Sequence, residues 1–177
     1  MRSRIFMAVA AVCVAGLALT GCNQQQQAQE QAAPPPAADA QAPATAQADM
    51  SPEGNTKFLD ENKAKQGVQT TASGLQYRVI KQGAGKTPTA ADMVTVTYKG
   101  WLIDGTVFDQ TDPGQTATFP AGQLIPGWVE ALQLMKEGDE WEIVLPSNLG
   151  YGEAGAGGVI PPNQTLVFNM ALLKVGS

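Results

Sequence analysis

Four aromatic residues stand where a side chain could do chemistry: Tyr98 at the end of a predicted strand, Phe108 just past a tight turn, Trp128 at the start of a predicted helix, and Tyr151 in a Gly-rich loop. Loops and element ends carry binding and catalysis disproportionately. Together the four offer apolar surface, two hydroxyls and an indole N–H, which suits recognition of an apolar group by contact. Taken singly, each reads equally well as ordinary core packing, because buried aromatics dominate small cores. Whatever the chemistry is, it works without imidazole. The chain of 177 residues contains no histidine, which excludes His-based general bases, triads built on imidazole and His-ligated zinc. A net charge of −5 argues against a nucleic-acid partner, since phosphate neutralisation needs clustered Lys and Arg.

The elements that must hold these residues are mostly strands. Leu75, Tyr77 and Val79 alternate with polar residues, and so do Val94, Val96 and Tyr98, the period-2 signal of half-buried antiparallel strands. Asp104-Gly105 between apolar flanks predicts a two-residue hairpin turn that returns the chain through Val107, Phe108 and Asp109. After Pro126-Gly127, apolar residues recur at helical spacing from Trp128 to Met135, until Gly138 ends the pattern. Trp141, Ile143 and Leu145 alternate again, and Thr165 to Val175 forms a last apolar strand. The sum is an α+β domain over residues 70–177, a twisted antiparallel sheet packed on one short helix.

Upstream the chain reads as an address and a tether. Arg2 and Arg4 precede an apolar run from Ile5 to Leu19, too short for an ordinary membrane span but right for a secretory signal. The run ends in Leu19-Thr20-Gly21-Cys22, which resembles the lipobox of bacterial lipoproteins. That resemblance implies a signal peptide over 1–21, cleavage before Cys22, and acyl chains on Cys22 as the membrane anchor. The alternative is an ordinary signal peptide with a chance cysteine. Cys13, the second cysteine, lies inside the segment to be removed, so the mature chain has no intramolecular disulfide. Asn23 follows Cys22 where an Asp would resemble an inner-membrane retention signal, so the expected location is the bacterial cell envelope, at the outer membrane facing the periplasm. Residues 22–50 are a Gln/Ala/Pro-rich segment: 22 of the 27 residues from Asn23 to Asp49 are Gln, Ala or Pro, too few apolar groups to bury a core. It is expected to be a disordered tether. Ser51-Pro52 supplies an N-cap and a first-turn proline for a short helix running to Lys65, with Gly67 as its stop, inside a lead-in over residues 51–69. With only Phe58 and Leu59 as sizeable apolar residues, that helix lacks a coiled-coil seam and is expected to dock on the domain or fray.

Six motifs then fall in register. Val96-Thr-Tyr98-Lys-Gly100, Asp104-Gly105-Thr-Val-Phe108-Asp109, Ile125-Pro-Gly127-Trp128, Leu149-Gly-Tyr151-Gly152, Gly158-Val159-Ile160-Pro161-Pro162-Asn163 and Leu166-Val167-Phe168 occur in this order. The pattern resembles FKBP-type peptidyl-prolyl cis-trans isomerases over about Thr70 to Val175, and the stretch from Gly67 to Tyr77 resembles the domain start in the macrophage infectivity potentiator group. The resemblance implies a half-barrel sheet of five or six strands wrapped around the short helix, with a shallow apolar pocket between them. It implies Trp128 as pocket floor, Tyr98, Phe108 and Phe168 as walls, and Leu124, Ile125, Val159 and Ile160 around the rim. It also implies that the Tyr151 hydroxyl and the Ile125 N–H donate to substrate carbonyls, while Tyr98 positions the Asp109 carboxylate. A turn carboxylate satisfying backbone amides is the alternative for Asp109.

The implied activity is rotation about X–Pro bonds in exported polypeptides, without covalent or proton-transfer chemistry and without metal or cofactor. Proline-containing polypeptides are the implied partners, a macrolide is a possible ligand of the pocket, and the membrane is met through the lipid anchor only. A monomer is expected, because the group's dimers use a longer N-terminal helical region. Departures from the small eukaryotic members bear on macrolide binding and substrate preference: a shorter segment from Gln110 to Thr118, no Arg to pair with Asp109, Ala117 at a pocket-edge Phe position, Gln123 at a common acid position, and Ala156 where His or an aromatic is frequent. A binding or chaperone module without turnover and a structural envelope lipoprotein are the competing readings.

Overall fold

The computed structural model describes residues 48–176. The signal segment, Cys22 and the tether up to residue 47 lie outside the described residues. In chain order the elements are helix α1 (Pro52–Lys63), strands β1 (Val68–Thr70), β2 (Gln76–Lys81), β3 (Met93–Leu102), β4 (Val107–Gln110) and β5 (Ala117–Pro120), helix α2 (Pro126–Leu134), and strands β6 (Glu140–Leu145) and β7 (Leu166–Gly176). Seven strands form one antiparallel sheet in the order β1-β2-β6-β7-β3-β4, with β5 also paired to β3. The count exceeds the expected five or six because β1 adds an edge and β3 is long enough to hold β4 and β5 end to end along one side.

Alternation gives the sheet two working faces. Val94, Val96, Ile143, Leu145, Phe168, Met170 and Leu172 are buried in one cluster with Trp128, Ala131 and Leu132 of α2. The intervening Val144 and Val167 join Trp101 in a second cluster, covered by Phe58 and Leu59 of α1. The pleat therefore sends neighbouring residues of β6 and β7 to different layers. Gly127 lets the start of α2 approach β6, since a Cβ there would stand 2.5 Å from a Leu145 methyl. The β2 alternation is cut short: Leu75 is buried but Val79 is exposed, next to a register shift between Val79 and Lys81.

Two local expectations are corrected. The hairpin after β3 has three residues rather than two: the Leu102 N–H donates to Thr106 O, the Gly105 N–H donates to Leu102 O, and Gly105 takes φ +87°. A left-handed glycine closing a three-residue loop keeps the strand twist, as a primed two-residue turn would. Helix α1 ends at Lys63 rather than Lys65, and Gly67, at φ +81°, turns the chain into β1 instead of capping the helix. The N-cap is as expected, with Ser51 Oγ accepting from the Gly54 N–H at 3.1 Å. The helix docks, and β1 runs across the junction between residues 69 and 70, so the lead-in packs on the domain it precedes.

Candidate active site

Helix α2 places Trp128 in its first turn, after Ile125 at the N-cap and Pro126 at the first helical position. The indole is 4% exposed, and three rings meet it edge-on: Tyr98 at 5.1 Å and 84°, Phe168 at 5.2 Å and 81°, and Phe119 at 6.4 Å and 80°. Phe108 in turn meets Phe168 at 5.4 Å and 89°. Edge-to-face pairs at these separations are the favoured aromatic geometry and hold each ring against its neighbour. Trp128 Nε1 is buried without a hydrogen-bond partner among the described residues. The residues come from β3, β4, β5, α2 and β7, so the aromatic cluster exists only once the sheet has closed over the helix.

Gly100 makes the crossing of two rings possible. It pairs with Phe168 on β7 and Asp109 on β4, and a Cβ at this position would stand 2.6 Å from Phe168 and 2.7 Å from Phe108. Phe119 was missed by the sequence reading. Its signal was weak, the alternation of Ala117 and Phe119 in a four-residue strand ending in proline. In the structure it lies across from Val94, and its ring stands 6.3 Å from that of Tyr98.

The polar groups sit at the same end. The Tyr98 hydroxyl donates to Asp109 Oδ2 at 2.7 Å. Burial, then the bond to Asp109 and its charge, push the Tyr98 phenol well above its ordinary value; burial and the Asp109 charge also push Tyr151 up. Both phenols therefore remain O–H donors through the neutral range, beside one carboxylate. In the turn itself, Asp104 accepts from the Thr106 N–H at 2.8 Å and the Thr106 hydroxyl at 2.9 Å. Leu124 and Ile125 are half-buried against the Trp128 cluster, and Ile160 is buried within it. The Ile125 N–H has no acceptor among the described residues. Tyr151 is 40% exposed and Val159 53% exposed, so these two stand at the open rim rather than in the wall.

Fold and site together define an α+β domain, a sheet wrapped on a helix, with an aromatic cluster around a buried indole and a phenol–carboxylate pair at the same end. A family model described as FKBP-type peptidyl-prolyl cis-trans isomerase matches residues 84–173, and one described as the domain amino-terminal to that isomerase matches residues 5–79. The chain belongs to the FKBP-type peptidyl-prolyl cis-trans isomerase family. It is 56% identical over 133 residues to the probable FKBP-type peptidyl-prolyl cis-trans isomerase FkpA of Neisseria meningitidis serogroup B, covering 75% of this chain and 49% of that protein. It is 52% identical over 119 residues to the outer membrane protein MIP of Legionella longbeachae, covering 67% and 51%. The chain thus spans about half the length of these relatives. A crystal structure of a peptidyl-prolyl cis-trans isomerase from Pseudomonas syringae superposes with a TM-score of 0.67 at 38% identity, over 71% of this chain and 92% of that one.

Proposed function

We propose that this chain is a peptidyl-prolyl cis-trans isomerase that accelerates X–Pro rotation in exported proteins. The observation that carries the reading is the aromatic cluster: Tyr98, Phe119 and Phe168 edge-on to a buried Trp128, with the Tyr98–Asp109 pair beside them. An amide resists rotation by about 18–20 kcal/mol because resonance gives its C–N bond double-bond character, and X–Pro bonds are those with a substantial cis population. In the twisted transition state the nitrogen leaves conjugation and charge separation falls. An apolar recess favours that state over the polar planar one, which is differential binding of the transition state. The proline ring seats on Trp128 between Tyr98, Phe108 and Phe168. The Ile125 N–H and the Tyr151 hydroxyl donate to carbonyls of the flanking chain and fix it while the imide turns, and Tyr98 holds Asp109 at the edge. A rate gain of about 10⁵ corresponds to roughly 7 kcal/mol, supplied by solvation difference and positioning.

Proline-containing polypeptides are the substrates, and a macrolide would compete for the same recess, with Leu124, Ile125, Val159 and Ile160 as its rim. The chain acts as a monomer: α1 has Phe58 and Leu59 as its large apolar residues, and both pack on the sheet of the same chain. Acyl chains on Cys22 hold it at the outer membrane facing the periplasm, a location favoured by the name of the Legionella relative. Residues 22–50 serve as the tether and residues 70–177 as the isomerase domain. The test is exchange of a Leu-Pro or Phe-Pro peptide measured by NMR with the chain from Asn23 onward. Acceleration blocked by a macrolide is expected; binding of the peptide without acceleration would make the chain a holding module.

A further inference from the structure

Helix α1 reaches the rim of the recess through a buried polar network. Asn55 is 4% exposed and Gln164 6% exposed, although neither carries charge or belongs to the recess. Asn55 Oδ1 accepts from the Thr165 N–H at 2.7 Å, and its Nδ2 donates to Ser51 O at 2.9 Å and to Gln164 Oε1 at 3.2 Å. Gln164 Nε2 donates to Met50 O and to Pro162 O, both at 3.0 Å. One side chain of α1 thus ties the helix start to residues 162–165, immediately after the segment that carries Tyr151, Val159 and Ile160 and immediately before β7, which carries Phe168.

Apart from Ile160, buried in the Trp128 cluster, and Ala156 packed against it, that segment is held by local bonds. It is rich in glycine, and its backbone bonds are local: the Asn163 N–H donates to Gly152 O at 2.8 Å, the Ala156 and Ile160 N–H groups donate to each other's carbonyls at 3.0 Å, and the Val159 N–H donates to Ala156 O at 3.1 Å. Asn163 sits at φ 60°, the one non-glycine residue at positive φ among the described residues, a turn conformation that asparagine tolerates. The next residue, Gln164, is the one gripped by α1 and Met50. A buried amide whose bonds are all made rigidifies its neighbours, and removing one partner strands the others.

We propose that Asn55 is a positioning residue for the recess: from the opposite face of the sheet, it fixes the base of the Tyr151–Pro162 loop and so sets the affinity for the substrate chain. The proposal rests on the isomerase reading for its effect on KM, but the loop clamp itself does not need turnover.

The test compares Asn55→Ala with Phe58→Ala in the chain from Asn23 onward, since the latter loosens α1 on the sheet while leaving the amide network intact. In Asn55→Ala, the Ala156, Ile160 and Asn163 amides should exchange about tenfold faster, with the β3 and β6 amides unchanged. KM for a Leu-Pro peptide should rise about fivefold with kcat within about twofold, while Phe58→Ala lowers stability and leaves KM within about twofold. If Asn55→Ala does not fold, Gln164→Ala is read in the same way. Equal effects of the two variants on KM, or unchanged loop exchange in Asn55→Ala, would overturn the proposal. If the unsubstituted chain accelerates nothing, the isomerase reading fails and the clamp stands or falls on loop exchange alone.

Discussion

At the scale of the residue, the account assigns binding to rings and orientation to hydroxyls, so proton chemistry should leave no mark. With no histidine in the chain, kcat/KM is expected to vary less than about twofold between pH 6 and 9, measured by peptide exchange. A bell-shaped profile would contradict that. Stability, by contrast, should respond at high pH. The Tyr98 phenol is held above its ordinary value by burial and by Asp109, so its favourable contribution is complete below about pH 10 and is lost as pH rises above it, where the unfolded chain ionises first. The urea midpoint should therefore fall above pH 10, and Tyr98→Phe should flatten that fall while lowering kcat/KM about threefold to tenfold through loss of the Asp109 bond. Gly100→Ala tests the ring crossing: a methyl 2.6 Å from Phe168 must displace a wall of the recess, which should cost about 1–3 kcal/mol of stability and lower kcat/KM more than tenfold. The rings that meet at Trp128 include Tyr98 and Phe168, both named in the sequence through the motifs that carry the family resemblance. Phe119 is not legible there, because its strand is four residues long and its partner, Val94, lies far upstream.

At the scale of the element, alternation is legible in the sequence and pairing across distance is not. Strands β3, β6 and β7 were legible from period-2 apolar runs, and α2 from helical spacing bounded by Pro126 and Gly138. Helix α1 is legible from Ser51-Pro52 but its docking is not, because Phe58 and Leu59 are a thin apolar stripe. The structure shows why it docks: buried Asn62 donates to Gln76 at 2.8 Å and Asn55 locks to Gln164 and Thr165. Asparagine ordinarily reads as surface or turn, so no periodicity could have announced these bonds. The hairpin after β3 failed for a related reason, since Asp-Gly fits both a two-residue turn and the end of a three-residue loop closed by Thr106. Deleting residues 23–63 is expected to lower the urea midpoint, because it uncovers Trp101, Val144 and Val167 on the outer face of the sheet. An unchanged midpoint would mean that α1 adds nothing to the fold.

At the scale of the whole molecule, a negative chain cannot reach an anionic lipid surface by charge. In the proposed lipoprotein, removal of residues 1–21 would take away Arg2 and Arg4 and leave 9 basic against 16 acidic residues, so attachment would rest on acyl chains at Cys22. Cys22→Ser is expected to move the protein from the membrane fraction to the soluble one; retention in the membrane fraction would contradict the lipid anchor. The central claim, a recess that lets an imide rotate without acid, base or metal, is tested most directly by NMR exchange of a short Leu-Pro peptide with catalytic amounts of the chain and of its Trp128→Ala variant. The account expects cis-trans exchange to quicken by orders of magnitude with the parent chain, and the variant to lose most of that gain. No acceleration at micromolar protein, or equal acceleration without the indole, would contradict it.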